Sequence, residues 1–292
     1  MKTYDTFDVP VEGGSLRVGR WRGDADAPVV VAAHGITSNH LSWALVGERS
    51  RATVVAPDLR GRGRSSEVSG EAGVEQHSAD LVAVVDRLGA ERVVLVGHSM
   101  GAFVAAAFHE RAPGRTEGVV LVDGGLPLTP LPPGTSTEEG LAATIGPAAQ
   151  RLTMTFGSTE EYYDHWRAHP GVGPHWSQAF AEYFAYELVP DSGSFRSSVS
   201  LDAVRRDTID LMDTEAPARR ARMLPPGTVF LRAPYGILGQ PVGLYPELLA
   251  AAHAIAFTDI DVRDVPDVNH YTVVLSDPGA SAVAAVLDDV GH

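Results

Sequence analysis

The chain has 292 residues, 44% hydrophobic and 21% charged, the balance of a soluble globular protein long enough for one large domain or a core with an insertion. Its formal charge of −14 repels phosphate backbones and anionic membrane surfaces, so neither nucleic acid nor a membrane is an expected partner. The absence of cysteine excludes disulfides, thiolate metal sites and a cysteine nucleophile; with no signal-type apolar core after residues 1–5 and no run able to span a bilayer, a cytoplasmic chain is expected.

Residues 4–9 and 15–21 alternate apolar and polar around Gly13-Gly14, which predicts an antiparallel hairpin. Short, continuous apolar runs follow at 29–33, 53–56, 93–96, 119–122 and 228–231, the pattern of strands covered on both faces. Helical patterns lie between and after them, at 38–48, 75–88, 102–111, 245–257 and 277–290. This alternation implies an α/β fold with a mostly parallel sheet and helices on both sides. No strand is expected from 126 to 217. That segment opens with a proline-rich stretch, 127–134, and is then dense in aromatics. It predicts a helical cap, dividing the chain into core (1–125), cap (126–217) and core (218–292). Its aromatics either form the cap's own small core or line an apolar pocket. Trp166, Trp176, Phe180 and Tyr183, with Tyr271 further along, are the candidates for the pocket.

Gly97-His98-Ser99-Met100-Gly101 runs from a strand straight into an Ala-rich helix. A serine at so sharp a turn presents its hydroxyl outward, and only glycine fits two residues to either side. Such a serine needs a base. His270, in the loop 266–270 before the last helix, is the best candidate among the 11 histidines. The turn His34-Gly35-Ile36-Thr37 follows the strand at 29–33 and can aim the Ile36 N–H at a developing oxyanion, with the Met100 N–H as second donor. His34 is expected to brace that loop. The arginines of the loop 58–65 are read as part of a self-braced structure rather than an anion site. His165 and His169 have a helical spacing that could clamp a metal, but no third ligand stands at a recognised spacing, so an exposed polar face is expected and no metal site. No Walker loop, dinucleotide fingerprint or zinc-protease motif is present, so no cofactor is expected.

Together the His34-Gly35 loop, the 58–65 loop, the Gly97–Gly101 elbow and the late histidine His270 resemble the α/β-hydrolase superfamily. The resemblance covers nearly the whole chain apart from the cap. It implies an eight-stranded sheet with only the second strand antiparallel, a Ser-His-acid triad, and a lid between the sixth and seventh strands. Most relatives carry the acid after the seventh strand, but residues 231–240 hold no carboxylate. The other family position, at the end of the sixth strand, is Asp123, which either serves as the acid or only braces its loop. Asp259, Asp261, Asp264 and Asp267 are the fallbacks. The expected activity is hydrolysis of a small hydrophobic or aromatic carboxylic ester, thioester or lactone. Carbon–carbon bond hydrolysis, cofactor-free perhydrolysis and non-catalytic ligand binding are the alternatives. The elbow serine argues against epoxide hydrolases and haloalkane dehalogenases, whose nucleophile is an aspartate. The sequence leaves the oligomeric state open.

Overall fold

The structure is a computed structural model that describes residues 2–130, 132–136, 138–140, 142 and 150–290. Leu131 of the proline-rich stretch and residues 143–149 of the expected cap lie outside the described residues. The strands in chain order are β1 (Tyr4–Val11), β2 (Gly14–Trp21), β3 (Val29–Ala33), β4 (Thr53–Pro57), β5 (Val93–His98), β6 (Thr116–Val122), β7 (Thr155–Phe156), β8 (Leu188–Asp191), β9 (Ser194–Ser197), β10 (Thr228–Arg232) and β11 (Ile260–Asp264). Eight of them form one sheet in the order β1-β2-β4-β3-β5-β6-β10-β11. β2 runs antiparallel to both its neighbours, and every other pairing is parallel except its own. This is the sheet the resemblance implies.

The apolar runs are continuous because both faces are covered. Val30 and Ala32 of β3, Val94 and Val96 of β5, and Val120 and Val122 of β6 pack with Trp43, Val46 and the helix Asp277–Val290. Their neighbours Val31, Ala33, Leu95, Val119 and Leu121 point the other way, onto helices α2 (Val74–Leu88) and α3 (Met100–Arg111). Met100 through His109 are all buried, which explains why α3 is rich in alanine and carries no polar stripe. The helix expected at 38–48 divides into a 3₁₀ turn, His40–Trp43, and helix α1, Ala44–Arg49. Asn39 caps the first piece by accepting the Leu41 N–H at 3.0 Å.

The segment between β6 and β10 corrects one expectation. Besides the helices Thr159–Arg167, Gln178–Glu187 and Leu201–Met212, it contains a small antiparallel sheet in the order β7-β9-β8. These strands are two to four residues long, too short to show an alternating pattern. The one local signal was Ser192-Gly193, which joins β8 to β9 with both residues at positive φ (47° and 90°). The helix Glu215–Ala221 crosses the boundary expected at 217/218. Among the described residues no helix is long and apolar enough to cross a membrane.

A buried ion pair fastens the inserted segment to the core. Arg62 pairs with Asp207 of the helix Leu201–Met212, and His77 of α2 lies 3.1 Å from the same carboxylate, all three side chains being fully buried. Burial alone would raise the Asp207 pKa, but Arg62 and then His77 outweigh it and hold the carboxyl at about 2. Arg62 Nε also donates to the Ile36 carbonyl at 2.9 Å, and Nη1 to that of Arg60 at 2.9 Å. Asp207→Ala leaves a guanidinium uncompensated in the interior, and a loss of about 3–5 kcal/mol is expected in urea unfolding. A change below 1 kcal/mol would show that the pair does not hold the segment down.

Candidate active site

The carboxyl ends of β5, β6 and β10 converge, and three side chains meet there. Ser99 sits between the last residue of β5 and the first of α3, at φ 55° and ψ −124°. That conformation is strained for a residue with a side chain and persists only because its surroundings enforce it. The enforcing contacts are close. A Cβ on Gly97 would lie 2.1 Å from the Gly101 carbonyl oxygen, and one on Gly101 would lie 2.0 Å from that of Ala33. The Ser99 N–H donates to the Val122 carbonyl at 2.9 Å, tying the turn to β6.

Asp123 follows β6 directly. Its N–H donates to the Leu231 carbonyl at 2.8 Å, and its Oδ1 accepts the Ala233 N–H at 3.2 Å, so β10 and the residue after it hold Asp123 by backbone and by side chain. The other oxygen, Oδ2, accepts from His270 Nδ1 at 2.6 Å. On the far side of the ring the Ser99 hydroxyl lies 3.0 Å from His270 Nε2 and can donate to it. Asp123 is fully buried and His270 nearly so. The row can move a proton from hydroxyl to imidazole and compensate the cation that results. The fallback carboxylates are elsewhere: Asp264 pairs with Arg232, Asp261 with Arg263, and Asp259 and Asp267 are exposed.

Two residues that sequence reasoning passed over hold the histidine loop. Asn269 Oδ1 accepts the N–H groups of Tyr271 and Thr272 at 2.9 and 3.0 Å, while its Nδ2 donates to Gly171 of the inserted segment at 2.8 Å. His98 Nε2 donates to the His270 carbonyl at 2.8 Å. Burial first, and then His270 nearby, push the His98 pKa well below the usual imidazole range, so it acts as a neutral strut. Neither role was legible, because His98 and the Asn269 amide each reach backbone far away in the chain.

Ile36 lines the cavity beside Ser99, and so does Met100, whose N–H opens α3 with no helical partner one turn back. The loop carrying Ile36 is braced as expected. His34 Nδ1 donates to the Gly35 carbonyl at 2.8 Å and Nε2 accepts the Leu59 N–H at 2.9 Å, an arrangement that only the neutral ring allows. Burial lowers its pKa to about 3. Asp58 accepts from His40 Nδ1 (2.7 Å), the Arg64 N–H (2.8 Å) and Tyr186 Oη (2.7 Å), so the 58–65 loop is braced by its own carboxylate.

A cavity of about 410 Å³ opens over Ser99 and His270. Of the five pocket candidates, Trp166, Tyr183 and Tyr271 line it. Trp176 and Phe180 do not. Phe180 and Phe184, one helical turn apart, stack with each other and with Trp176, and Phe184 stacks on Trp166 at 4.0 Å. They form the segment's own aromatic core, whereas Tyr183 lies on the adjacent side of that helix and reaches Ser38 Oγ at 3.0 Å. His165 and His169 correct a second expectation: both are half-buried and line the cavity instead of forming an exposed face. Arg151, from the same wall, was not foreseen.

The profile of the alpha/beta hydrolase family matches residues 30–285, and the chain belongs to that family. Over 104 residues it is 41% identical to epoxide hydrolase B of Mycobacterium tuberculosis, a stretch covering 33% of this chain and 29% of that protein. Over 94 residues it is 36% identical to a bifunctional esterase/perhydrolase of Acinetobacter calcoaceticus, covering 31% of this chain and 34% of that one. The chain therefore spans well under two thirds of either relative. Among solved structures it is similar to E-2-(acetamidomethylene)succinate hydrolase, with a TM-score of 0.77 at 21% identity over 98% of this chain and 100% of that chain, a likeness of fold.

Because Phe180 belongs to the aromatic core and not to the cavity, Phe180→Ala should act on stability. A loss of about 3–5 kcal/mol is expected in urea unfolding. Saturation binding of an apolar fluorophore to the cavity should change less than twofold at temperatures where the variant is folded, and a large change in affinity would return Phe180 to the lining.

Proposed function

We propose that the chain is a serine hydrolase that cleaves a small hydrophobic carboxylic ester through an acyl-enzyme intermediate. The observation that carries this reading is the row Ser99–His270–Asp123, with spacings of 3.0 and 2.6 Å at the floor of a largely apolar cavity. His270 Nε2 takes the hydroxyl proton as Ser99 Oγ attacks the carbonyl. The N–H groups of Ile36 and Met100 receive the negative charge that develops on the carbonyl oxygen. Asp123 holds His270 in the tautomer with Nδ1 protonated and balances the imidazolium. The imidazolium then protonates the departing alkoxide. Water, deprotonated by the same ring, attacks the acyl-serine, and collapse of the second tetrahedral adduct returns the hydroxyl and releases the acid. Thioesters and lactones enter by the same route.

The likeness to an epoxide hydrolase does not carry that activity over, for a chemical reason. A carboxylate that opens an epoxide forms an ester, which water can cleave. Ser99 would form an ether, and no step available to this site returns the hydroxyl. Perhydrolysis is a closer second reading, because hydrogen peroxide can replace water in the second half of the cycle and one relative bears both names.

Two measurements test the reading. A fluorophosphonate should label one residue, Ser99, with loss of ester turnover in step, and Ser99→Ala should lower kcat about 10⁶-fold. Ester turnover that survives complete labelling would exclude the mechanism, and tight binding without turnover would favour a receptor. Asp123→Asn should lower kcat about 10⁴-fold by favouring the wrong histidine tautomer. A near-normal rate would reassign the acid.

A further inference from the structure

Among the described residues of the cavity wall Arg151 is the one Lys, Arg, Asp or Glu side chain, and the acyl-enzyme reading gives it nothing to do. It is 2% exposed and lines the cavity with Trp166, Tyr183 and Tyr271. Its Nη1 makes both of its polar contacts, to Tyr162 Oη at 2.8 Å and to the buried carboxylate of Glu187. Its Nε is without a partner among the described residues but is sealed from the cavity, so the donor left for a ligand is Nη2, which no described acceptor takes. The other Glu187 oxygen, Oε2, likewise has no described partner. A guanidinium has five N–H groups, so among the described residues this largely apolar cavity has unused donor capacity on one wall. A charged group that lines an enclosed cavity and keeps a free N–H donor is placed to orient a ligand acceptor.

The charge around Arg151 decides what that group is. Glu187 already balances the guanidinium. His165 and His169 on the same wall are held neutral, by burial first and then by neighbouring positive charge that includes Arg151. A substrate carboxylate would therefore set two anions on one cation in an apolar enclosure, which is costly. A neutral oxygen acceptor takes the free donors without that cost.

We propose that Arg151 is a second recognition point, which binds a neutral carbonyl oxygen borne by the acyl chain away from the scissile ester. The proposal rests on the ester-hydrolase reading and narrows it to oxo-acyl or oligoester substrates. Ser99 attacks one carbonyl while Arg151 holds another, which fixes the register of a chain that apolar contacts alone would let slide.

The test compares 4-nitrophenyl 5-oxohexanoate and 6-oxoheptanoate with their parent hexanoate and heptanoate, and with the monoesters of glutarate and adipate, each corrected for spontaneous hydrolysis. At one of the two lengths the oxo ester should exceed its parent in kcat/KM by about tenfold or more. The ratio of the two should fall to within twofold of one in Arg151→Met. Being internal to each preparation, the ratio is insensitive to the fraction folded. If the lone Glu187 prevents folding of that variant, the double variant Arg151→Met with Glu187→Gln removes both charges and answers the same question. Equal rates on oxo and parent esters, a preference that survives in the variants, or carboxylate esters as the best substrates would each overturn the proposal. Turnover of none of the six esters is a different outcome: it removes the hydrolase reading, and the proposal with it.

Discussion

Two backbone hydrogen bonds set the geometry of the site: the Ser99 N–H to Val122 and the Asp123 N–H to Leu231. Each continues the parallel ladder one residue past the end of its strand. Hydroxyl and carboxylate therefore emerge at fixed heights from neighbouring strands, and their separation is a property of the sheet rather than of any loop. The imidazole is the piece that must be delivered from a distance. A loop after β11 brings it in, and Asn269, His98 and the bond to Gly171 hold that loop. All of this depends on a parallel register, which buried Val and Ala on β3, β5 and β6 specify by packing on both faces.

The strands and their sense were legible because both faces are covered. That leaves an unbroken apolar run with helical patterns on either side, and few architectures accept the combination. The elbow was legible because a strained turn needs glycine in fixed places. Asp123 was reached by the family pattern once residues 231–240 proved to hold no carboxylate, and the structure brings it to His270. The inserted segment was read less well. Its strands span at most two alternations of the pattern that reveals strands. Its aromatics could not be sorted, because residues 180, 183 and 184 share a helix, and a rotation of that helix decides which ring meets the cavity and which meets Trp166. Periodicity identifies an apolar stripe but not what lies opposite it.

The same contrast separates the two kinds of polar group in the interior. His34, His77, His98, Asp58, Arg62 and Asp207 are all buried, and each bonds within the fold. They stiffen the loops around Ser99, and their ionisation is set to suit: His34 and His98 stay neutral, and Asp207 stays charged. Arg151 and Glu187 are as deeply buried but are left with unused hydrogen-bonding atoms. His77 and His98 also keep one ring nitrogen without a described partner, so an unused atom does not by itself mark a site; Arg151 differs in bringing a charged group with several donors to the cavity wall.

Because the carboxylate that meets His270 sits after β6, the loop that follows β10 supplies none of the Ser99–His270–Asp123 row. That loop still contributes Ile237 and Leu244 to the cavity wall. A carboxylate carried by this loop would shift along with the wall on any insertion or drift. Here the two tasks reside in separate stretches of chain. The wall beyond Ala233 can thus be remodelled, by natural drift or by a protein engineer, while Ser99 and Asp123 stay at the ends of β5 and β6.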